Sequence, residues 1–345
     1  MNPALELLVF LGTLLYAYAE ALVKLLLPAK RKAVRGELVL VTGAARGLGR
    51  ATAREFARHQ SRLVLWDVEA HGLKETAAEC EGLGASVHTF VVDCSKREEI
   101  YSAAEKDCCG FGHKKDTACS YLQENHPKNY YSQLCTACVT KRRSPTHLLV
   151  QKVKKDIGDV SILVNNAGVI AAADLLSTQD HQVEKTFEVN ILAHIWTTRA
   201  FLPTMMNNNH GHIVTVASAA GHFVIPFMVA YCSSKFAAVG FHKALTDELS
   251  SLGKDGIKTT CLCPVFINTG FVKNPSMRLG KILEVDEVVK ALMEGILTNQ
   301  KMVFVPSNQR FALLLERLLP ERALNYLKKL TDVKFDAIVG HGSNQ

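Results

Sequence analysis

Tyr231 and Lys235 stand one helical turn apart in "AYCSSKFAAVGF", so their side chains share a face. A free tyrosine titrates at about 10 and is a poor base at neutral pH. A lysine ammonium one turn away favours the phenolate, and the pair becomes a unit that can exchange a proton. Ser218 closes the run "GHIVTVAS" upstream, where a hydroxyl can hold the oxygen that gains or loses that proton. Taken alone, the pair is also what a helix surface without chemistry would show.

A second constellation is suited to phosphate. "VTGAARGLGR" follows an apolar run and opens a helix, and it contains Gly43, Arg46, Gly47, Leu48 and Gly49. Its glycines let the backbone approach a pyrophosphate at the helix N-terminus. Asp67 ends the next apolar run, "RLVLWD". A carboxylate there bonds ribose hydroxyls and repels a 2′-phosphate, which favours NAD. Arg46 pulls the other way, because a basic residue in this loop can meet a 2′-phosphate. Asp67 outweighs it, since against that phosphate its charge would be buried without a partner. A bound nicotinamide, being positive, would add to the effect of Lys235 on Tyr231.

These groups need a scaffold. "ELVLVTG", "RLVLWDV", "VHTFVVD", "SILVNNAG", "GHIVTVAS" and "KTTCLCP" read as six short strands. Helices lie between them, at 50–59, about 182–206 and 229–251. Continuous apolar strands alternating with helices indicate an α/β fold with a parallel, doubly wound sheet.

Two segments lie outside that alternation. The stretch "DCCGFGHKKDTACSYLQENHPKNYYSQLCTAC" is rich in cysteine and interrupts a helix. Ser95 and Glu98 have capping-box spacing, so that helix should start at Lys96. If Lys106 is joined directly to Val153, the residues Ile100, Ala103, Ala104, Val153 and Ile157 fall on one face, with Gly158 as the stop. Residues 107–152 therefore read as an insertion. Cys135-x-x-Cys138 with Cys108, Cys109, Cys119, His113 and His126 could supply zinc ligands. The spacings are irregular, however, and a polar loop is the plainer reading, with no metal assigned.

The other segment is residues 1–28, an apolar helix ended by Pro28. Asn2, Glu6, Thr13, Glu20 and Lys24 form a narrow polar stripe along it. That suits a helix lying in a membrane interface, and a spanning anchor packed against a partner is the alternative. Lys30, Arg31 and Lys32 follow, as an anionic membrane surface would favour.

Composition agrees. The chain has 345 residues, 48% hydrophobic and 21% charged, which is enough for a sizeable core, and a net charge of +7. The basic residues form no stripe interleaved with aromatics, so nucleic acid is not an expected partner. The cysteines outside the insertion have no framework spacing, which suits a reducing, cytosol-facing compartment.

Taken together, TGxxxGxG, "NNAG" at Asn165 to Gly168, Asn190 in "FEVNIL", Ser218 and Tyr231-x-x-x-Lys235 resemble the short-chain dehydrogenase/reductase family over residues 37 to about 300. A closer resemblance is to its lipid-droplet 17-beta-hydroxysteroid dehydrogenases, types 11 and 13. It is carried by "KTFEVNIL", "YCSSKFAAVGFH", "CLCPVFINTGF" and the "LLPERAL" tail. The resemblance implies a single Rossmann-like catalytic domain over 37–310, interrupted at 107–152. It follows a membrane-anchoring helix and precedes C-terminal amphipathic helices at 311–345.

The resemblance also assigns roles. Tyr231 would exchange a proton with the substrate oxygen, Ser218 would position it, and Lys235 would lower the tyrosine pKa and bind the nicotinamide ribose. Asn190 would hold a water in a relay to Lys235. Asp93 and Cys94 would face the adenine and Asn166 its ribose. Pro264 leads the nicotinamide-side loop, where Ile267 and Thr269 would flank the carboxamide. Val265 stands where the family often has glycine. The resemblance implies a homodimer at the lipid droplet or endoplasmic reticulum membrane.

The substrate side is apolar. "HFVIPFMVA" and "VFINTGFV" suit a lipophilic alcohol or ketone such as a steroid or retinoid. "FALLLERLLPERALNYLKKL" has apolar faces that fit either core packing or a second membrane contact. Two readings follow. One is an NAD-dependent dehydrogenase of lipophilic alcohols at a lipid surface. The other is a lipid-droplet binding protein whose catalysis the insertion has removed.

Overall fold

A computed structural model of the chain describes residues 3–26, 30–101, 153, 157–278 and 280–340. Helix α1 (Pro3–Leu26) comes first, and the side chains described along it, from Leu5 to Tyr18, are exposed. Among the described residues, no helix is long and apolar enough to cross a membrane. Glu6, Thr13 and Glu20 of the polar stripe lie on α1, while Asn2 lies outside the described residues.

The chain then alternates. Strand β1 (Leu38–Thr42) leads through the glycine turn into α2 (Gly47–Arg58). β2 (Arg62–Asp67), α3 (Ala70–Gly82) and β3 (Val87–Val91) follow, then α4 (Arg97–Tyr101) and β4 (Ile162–Asn165). α5 (Asp180–Phe187) passes through a π-helical turn, Glu188–Leu192, into α6 (Ala193–Asn208). β5 (Gly211–Val216), α7 (Val229–Ser251), β6 (Ile257–Pro264), α8 (Val285–Leu297) and β7 (Met302–Val305) complete the sheet. α9 (Gln309–Leu318) and α10 (Glu321–Thr331) close the helical part.

All seven strands are parallel, in the order β3-β2-β1-β4-β5-β6-β7. Alternate residues of each strand serve opposite layers. Val39, Val41, Leu63 and Leu65 pack with α2, α3 and α8. Leu38, Leu40, Val64 and Trp66 pack with α6 and α7. Strands buried on both faces must read as unbroken apolar runs, and these do. The strand order reverses between β1 and β4, where an open α/β sheet leaves a crevice at its carboxyl ends.

The insertion 107–152, with its zinc alternative, lies outside the described residues. So does most of the helix that it would split. Ile100, Val153 and Ile157 are buried in one cluster with Trp66 and Phe201, at about 1.5–3 kcal/mol for each side chain so buried.

Three local expectations are corrected. Ser95 forms no capping box with Glu98. Its N–H and hydroxyl both go to Asp93 Oδ1, and Glu99 reaches back to accept from the Asp93 N–H. The serine hydroxyl is thus taken up by the aspartate and does not cap α4. Within the basic cluster Lys32 turns inward, while Lys30 and Arg31 are exposed. Arg31 pairs with Glu294 at 2.7 Å, and the half-buried Lys32 donates from Nζ to His212 Nδ1. His212 in turn contacts Thr260 at 2.8 Å, so this cation serves the foot of the sheet, not a lipid surface. Finally β7, four residues long, was absent from the strand reading.

Candidate active site

A cavity of about 850 Å³ lies along the carboxyl ends of the strands, with Gly43, Asp67, Asn166, Ser218, Pro264 and Pro306 all on its lining. Of the candidate residues, Arg46, Gly47, Leu48, Gly49, Cys94, Tyr231, Lys235, Ile267 and Thr269 also line it, whereas Asp93 and Asn190 do not.

The glycine turn is built for close approach. Gly43 has φ +67°, and a Cβ there would stand 2.8 Å from the Ala167 Cα. A Cβ on Gly49 would stand 2.0 Å from the Gly43 carbonyl oxygen, which no side chain can do. The N-terminus of α2 therefore opens onto the cavity through a turn of bare backbone, which fits a pyrophosphate. Thr269 lies over this turn, 3.5 Å from where a Gly47 Cβ would sit.

Asn166 ties the turn down. Its Nδ2 donates to the carbonyls of Thr42 and Gly43 at 2.9 and 3.0 Å. The Thr42 hydroxyl accepts from the N–H groups of Asn166 and Ala167. Asp67 is fixed in the same way, since its carboxylate accepts from the Ala45 N–H at 2.9 Å and from the Glu69 N–H at 3.0 Å. The exposed Arg46 caps α2 without a side-chain bond.

At the other end, Ser218 terminates β5. Its Oγ accepts from the Ala220 N–H at 3.1 Å and donates to the Pro264 carbonyl at 3.4 Å, and both Ser218 and Tyr231 line the cavity. Lys235 is buried, donates to the Val216 carbonyl at 2.9 Å, and places its Nζ 5.7 Å from the Tyr231 ring centre. Burial pushes the Lys235 ammonium down to about 8, opposed by the nearby Cys261 and Cys263. Burial pushes the Tyr231 phenol up to about 12, opposed by the Ser218 hydroxyl and reinforced by Cys232. Lys235 is not among the groups that shift it, so the expected lowering of the tyrosine is not seen in the protein alone.

Asn190 sits in the π-helical turn, a device that recurs at functional sites. Its amide is bonded to the Val169 N–H and carbonyl at 2.8 and 2.9 Å, and it donates to Ser234 at 3.0 Å. That leaves one acceptor lone pair for the expected water. Asp93 turns away from the cavity, with its carboxylate 3.2 Å from the Lys185 ammonium. Burial raises the Asp93 pKa, but hydrogen bonds from Ser95 and the ammonium leave it lowered overall.

Lys185, which sequence reading missed, lines the cavity where Asp93 does not. No spacing reveals it, because its partner is 92 residues away. Also missed were Ala312, Glu316, Leu324 and Leu327 of α9 and α10, which line the cavity. Their signal was the two-sidedness of α9. Ala312 and Glu316 face the cavity, whereas Phe311, Leu314, Leu315 and Leu318 are exposed.

The comparisons agree with this geometry. The short chain dehydrogenase family model matches residues 37–112 and 112–278. The chain is 57% identical over 341 residues to the estradiol 17-beta-dehydrogenase 11 of Pongo abelii, covering 99% of this chain and 98% of the relative. It is 52% identical over 341 residues to the 17-beta-hydroxysteroid dehydrogenase 13 of Homo sapiens, with the same coverage. Among solved structures, a short chain dehydrogenase/reductase from Burkholderia phymatum in complex with NAD superposes with TM-score 0.63. It is 23% identical, covering 82% of this chain and 94% of that one. A short-chain dehydrogenase from Sphingobium yanoikuyae in complex with NADPH gives 0.60 at 20% identity, covering 82% and 94%. The chain belongs to the short-chain dehydrogenase family, and it is an oxidoreductase closely related to estradiol 17-beta-dehydrogenase 11 and 17-beta-hydroxysteroid dehydrogenase 13.

Proposed function

We propose that the chain is an NAD-dependent dehydrogenase of lipophilic alcohols, of the hydroxysteroid or retinoid class, acting at the surface of a lipid droplet or the endoplasmic reticulum. The observation that carries the activity is that Ser218, Tyr231 and Lys235 line the same cavity as the glycine turn.

The residues fit a dinucleotide. Gly43, Gly47 and Gly49 with Leu48 would take the pyrophosphate. Asp67, held by two backbone N–H groups, would take the ribose hydroxyls. That fixed carboxylate supports NAD over NADP, against Arg46. Lys185 and Cys94 would border the adenine, and Pro264, Ile267 and Thr269 the nicotinamide. When bound, the cofactor supplies the hydride acceptor at nicotinamide C4 and a positive charge near Tyr231.

The chain's own groups do the rest. Ser218 Oγ holds the substrate oxygen beside the Tyr231 hydroxyl. Tyr231, a phenol at neutral pH by its position at about 12, gives its proton to the oxygen when a ketone is reduced. In the oxidative direction it takes that proton, for which the ammonium of Lys235 and the cofactor's charge must stabilise the phenolate. Lys235 keeps donors free beyond the Val216 carbonyl for the nicotinamide ribose. Asn190 would offer its remaining lone pair to a water between the Val169 loop and Lys235.

The substrate class rests on the apolar side chains of the cavity lining, among them Ile225, Phe266, Val272 and Leu327, and on the relatives' names. The lipid surface rests on the exposed apolar side chains of α1 and the outer face of α9, with the catalytic domain towards the cytosol. A homodimer follows from the family resemblance. The test is turnover: purified protein with NAD and a panel of estradiol, retinol and long-chain alcohols should form NADH. Binding of NAD without turnover on any member would contradict the reading.

A further inference from the structure

Three loops surround the Tyr231 end of the cavity: residues 169–177 after β4, 222–228 before α7, and 266–278 after β6. Each comes from a different part of the chain. Loops of this kind move unless something holds them. One segment touches two of them directly. The Ile338 N–H donates to the Ala172 carbonyl, and the Asp174 N–H donates to the Ile338 carbonyl, both at 3.0 Å. The Gly340 N–H donates to Asp174 Oδ2 at 2.8 Å and to Ser177 Oγ at 3.0 Å. On the other side, Lys334 and Ser276 exchange two backbone bonds at 2.7 and 2.9 Å. Asp336 donates from its N–H to the Lys273 carbonyl, and its carboxylate accepts from Asn274 at 2.7 Å. The third loop is joined through the Ala173 N–H, which donates to the Phe227 carbonyl at 3.0 Å.

Between Lys334 and Asp336, Phe335 points inward. Its ring lies 6.1 Å from that of Phe266, within the tilted geometry that aromatic pairs favour. It packs against the cluster of Met228, Tyr231 and Cys232, with Ile225 and Val272. Phe266, Val272, Ile225 and Met228 line the cavity, whereas Phe335 stands behind them. The ring is therefore a backing to the wall, not part of it.

We propose that residues 332–340 form a substrate-selecting strap, in which Phe335 is a positioning residue holding Phe266 and Val272 as the wall against which a bulky lipophilic alcohol packs. The proposal rests on the reading of the cavity as an alcohol site. A small alcohol reaches Ser218 and Tyr231 without leaning on that wall, and although Ile267 and Thr269 share the 266–278 loop, the pyrophosphate and adenine-ribose contacts at Gly43 and Asp67 lie on other elements. Loosening the strap should therefore separate large alcohols from small ones, and both from the cofactor.

The test compares the full chain with Phe335→Ala, Phe335→Leu and Asp174→Ala, each first checked by thermal melting. The Asp174 variant unhooks Gly340 without touching the core, so it serves if Phe335→Ala does not fold. Estradiol binding is measured in the presence of NADH, and KM for estradiol and for cyclohexanol. In Phe335→Ala, the estradiol Kd and KM should rise about tenfold, or ~1.4 kcal/mol, with cyclohexanol KM and NADH Kd within about twofold. Phe335→Leu should restore most of the estradiol binding, and Asp174→Ala should shift it the same way by less. Equal losses for both alcohols, a matching loss of NADH affinity, or no change at all would overturn the strap. Absence of turnover in the wild-type chain would contradict the proposed function, while the estradiol Kd would still report on the strap. A wild-type chain that bound none of estradiol, retinol or dodecanol would overturn both.

Discussion

Lys235 reaches from α7 to the end of β5, and its Nζ donates to the Val216 carbonyl at 2.9 Å. This bond fixes a cation beneath Tyr231 and sets its distance from the phenol. Replacement by methionine keeps the stem and removes the charge. Lys235→Met should lower kcat/KM by about 10²–10⁴ and weaken NADH binding, with Tm nearly kept. Stopped assays and fluorescence titration measure both. Activity within about threefold of wild type would mean that the ammonium is only structural.

Gly49 leaves no room for a methyl group, with a Cβ 2.0 Å from the Gly43 carbonyl oxygen. Gly49→Ala should therefore push the glycine turn outward. Overpacking of this kind costs about 1–3 kcal/mol, so Tm should fall and NADH affinity should fall with it. Loss of stability with intact cofactor affinity would place the pyrophosphate elsewhere.

Asp67 and Arg46 border the cavity with opposite charges. In Asp67→Ala the arginine is left alone to meet a 2′-phosphate. The ratio of kcat/KM for NAD to that for NADP should then fall by more than about tenfold, the scale of one charged contact. An unchanged ratio would remove Asp67 from the account.

His194 is fully buried, and both ring nitrogens lack a hydrogen-bond partner. Burial, with Lys235 nearby, holds it down to about 3 from 6.5, although the Ala167 backbone slightly favours the charged form. A folded-state value below the unfolded one means that the unfolded chain binds the proton first. The stability it supports is full above about 6.5 and is lost as pH falls towards about 3. At pH 4.5 this amounts to about 2–3 kcal/mol. His194→Leu should flatten the fall in Tm between pH 7 and 4.5. An unaltered slope would show that other groups, His242 among them, set acid stability.

The central motifs were legible because they are local. A strand, a glycine turn and a helix follow one another from Leu38 to Arg58, and Tyr231 and Lys235 are one turn apart. Long-range partners were not legible. Nothing near Lys185 in the chain points to Asp93, and nothing near Ser276 points to Lys334. Lys32 reads as a surface cation until the fold places its Nζ on His212. Met302–Val305 is an unbroken apolar run, but at four residues on the edge of the sheet it is too short to stand out. Ser95 misled because its hydroxyl donates to an aspartate two residues earlier, which spacing alone does not weigh.

The account turns on the Tyr231 hydroxyl as the group that moves the substrate proton. Tyr231→Phe removes one oxygen, with Lys235 still held by the Val216 carbonyl. The measurement is NADH formation from NAD and the best lipophilic alcohol, beside an NADH binding titration on the same samples. Turnover should fall by at least about 10²-fold, with the NADH Kd within about twofold of wild type. Retention of more than half the activity would contradict the account directly.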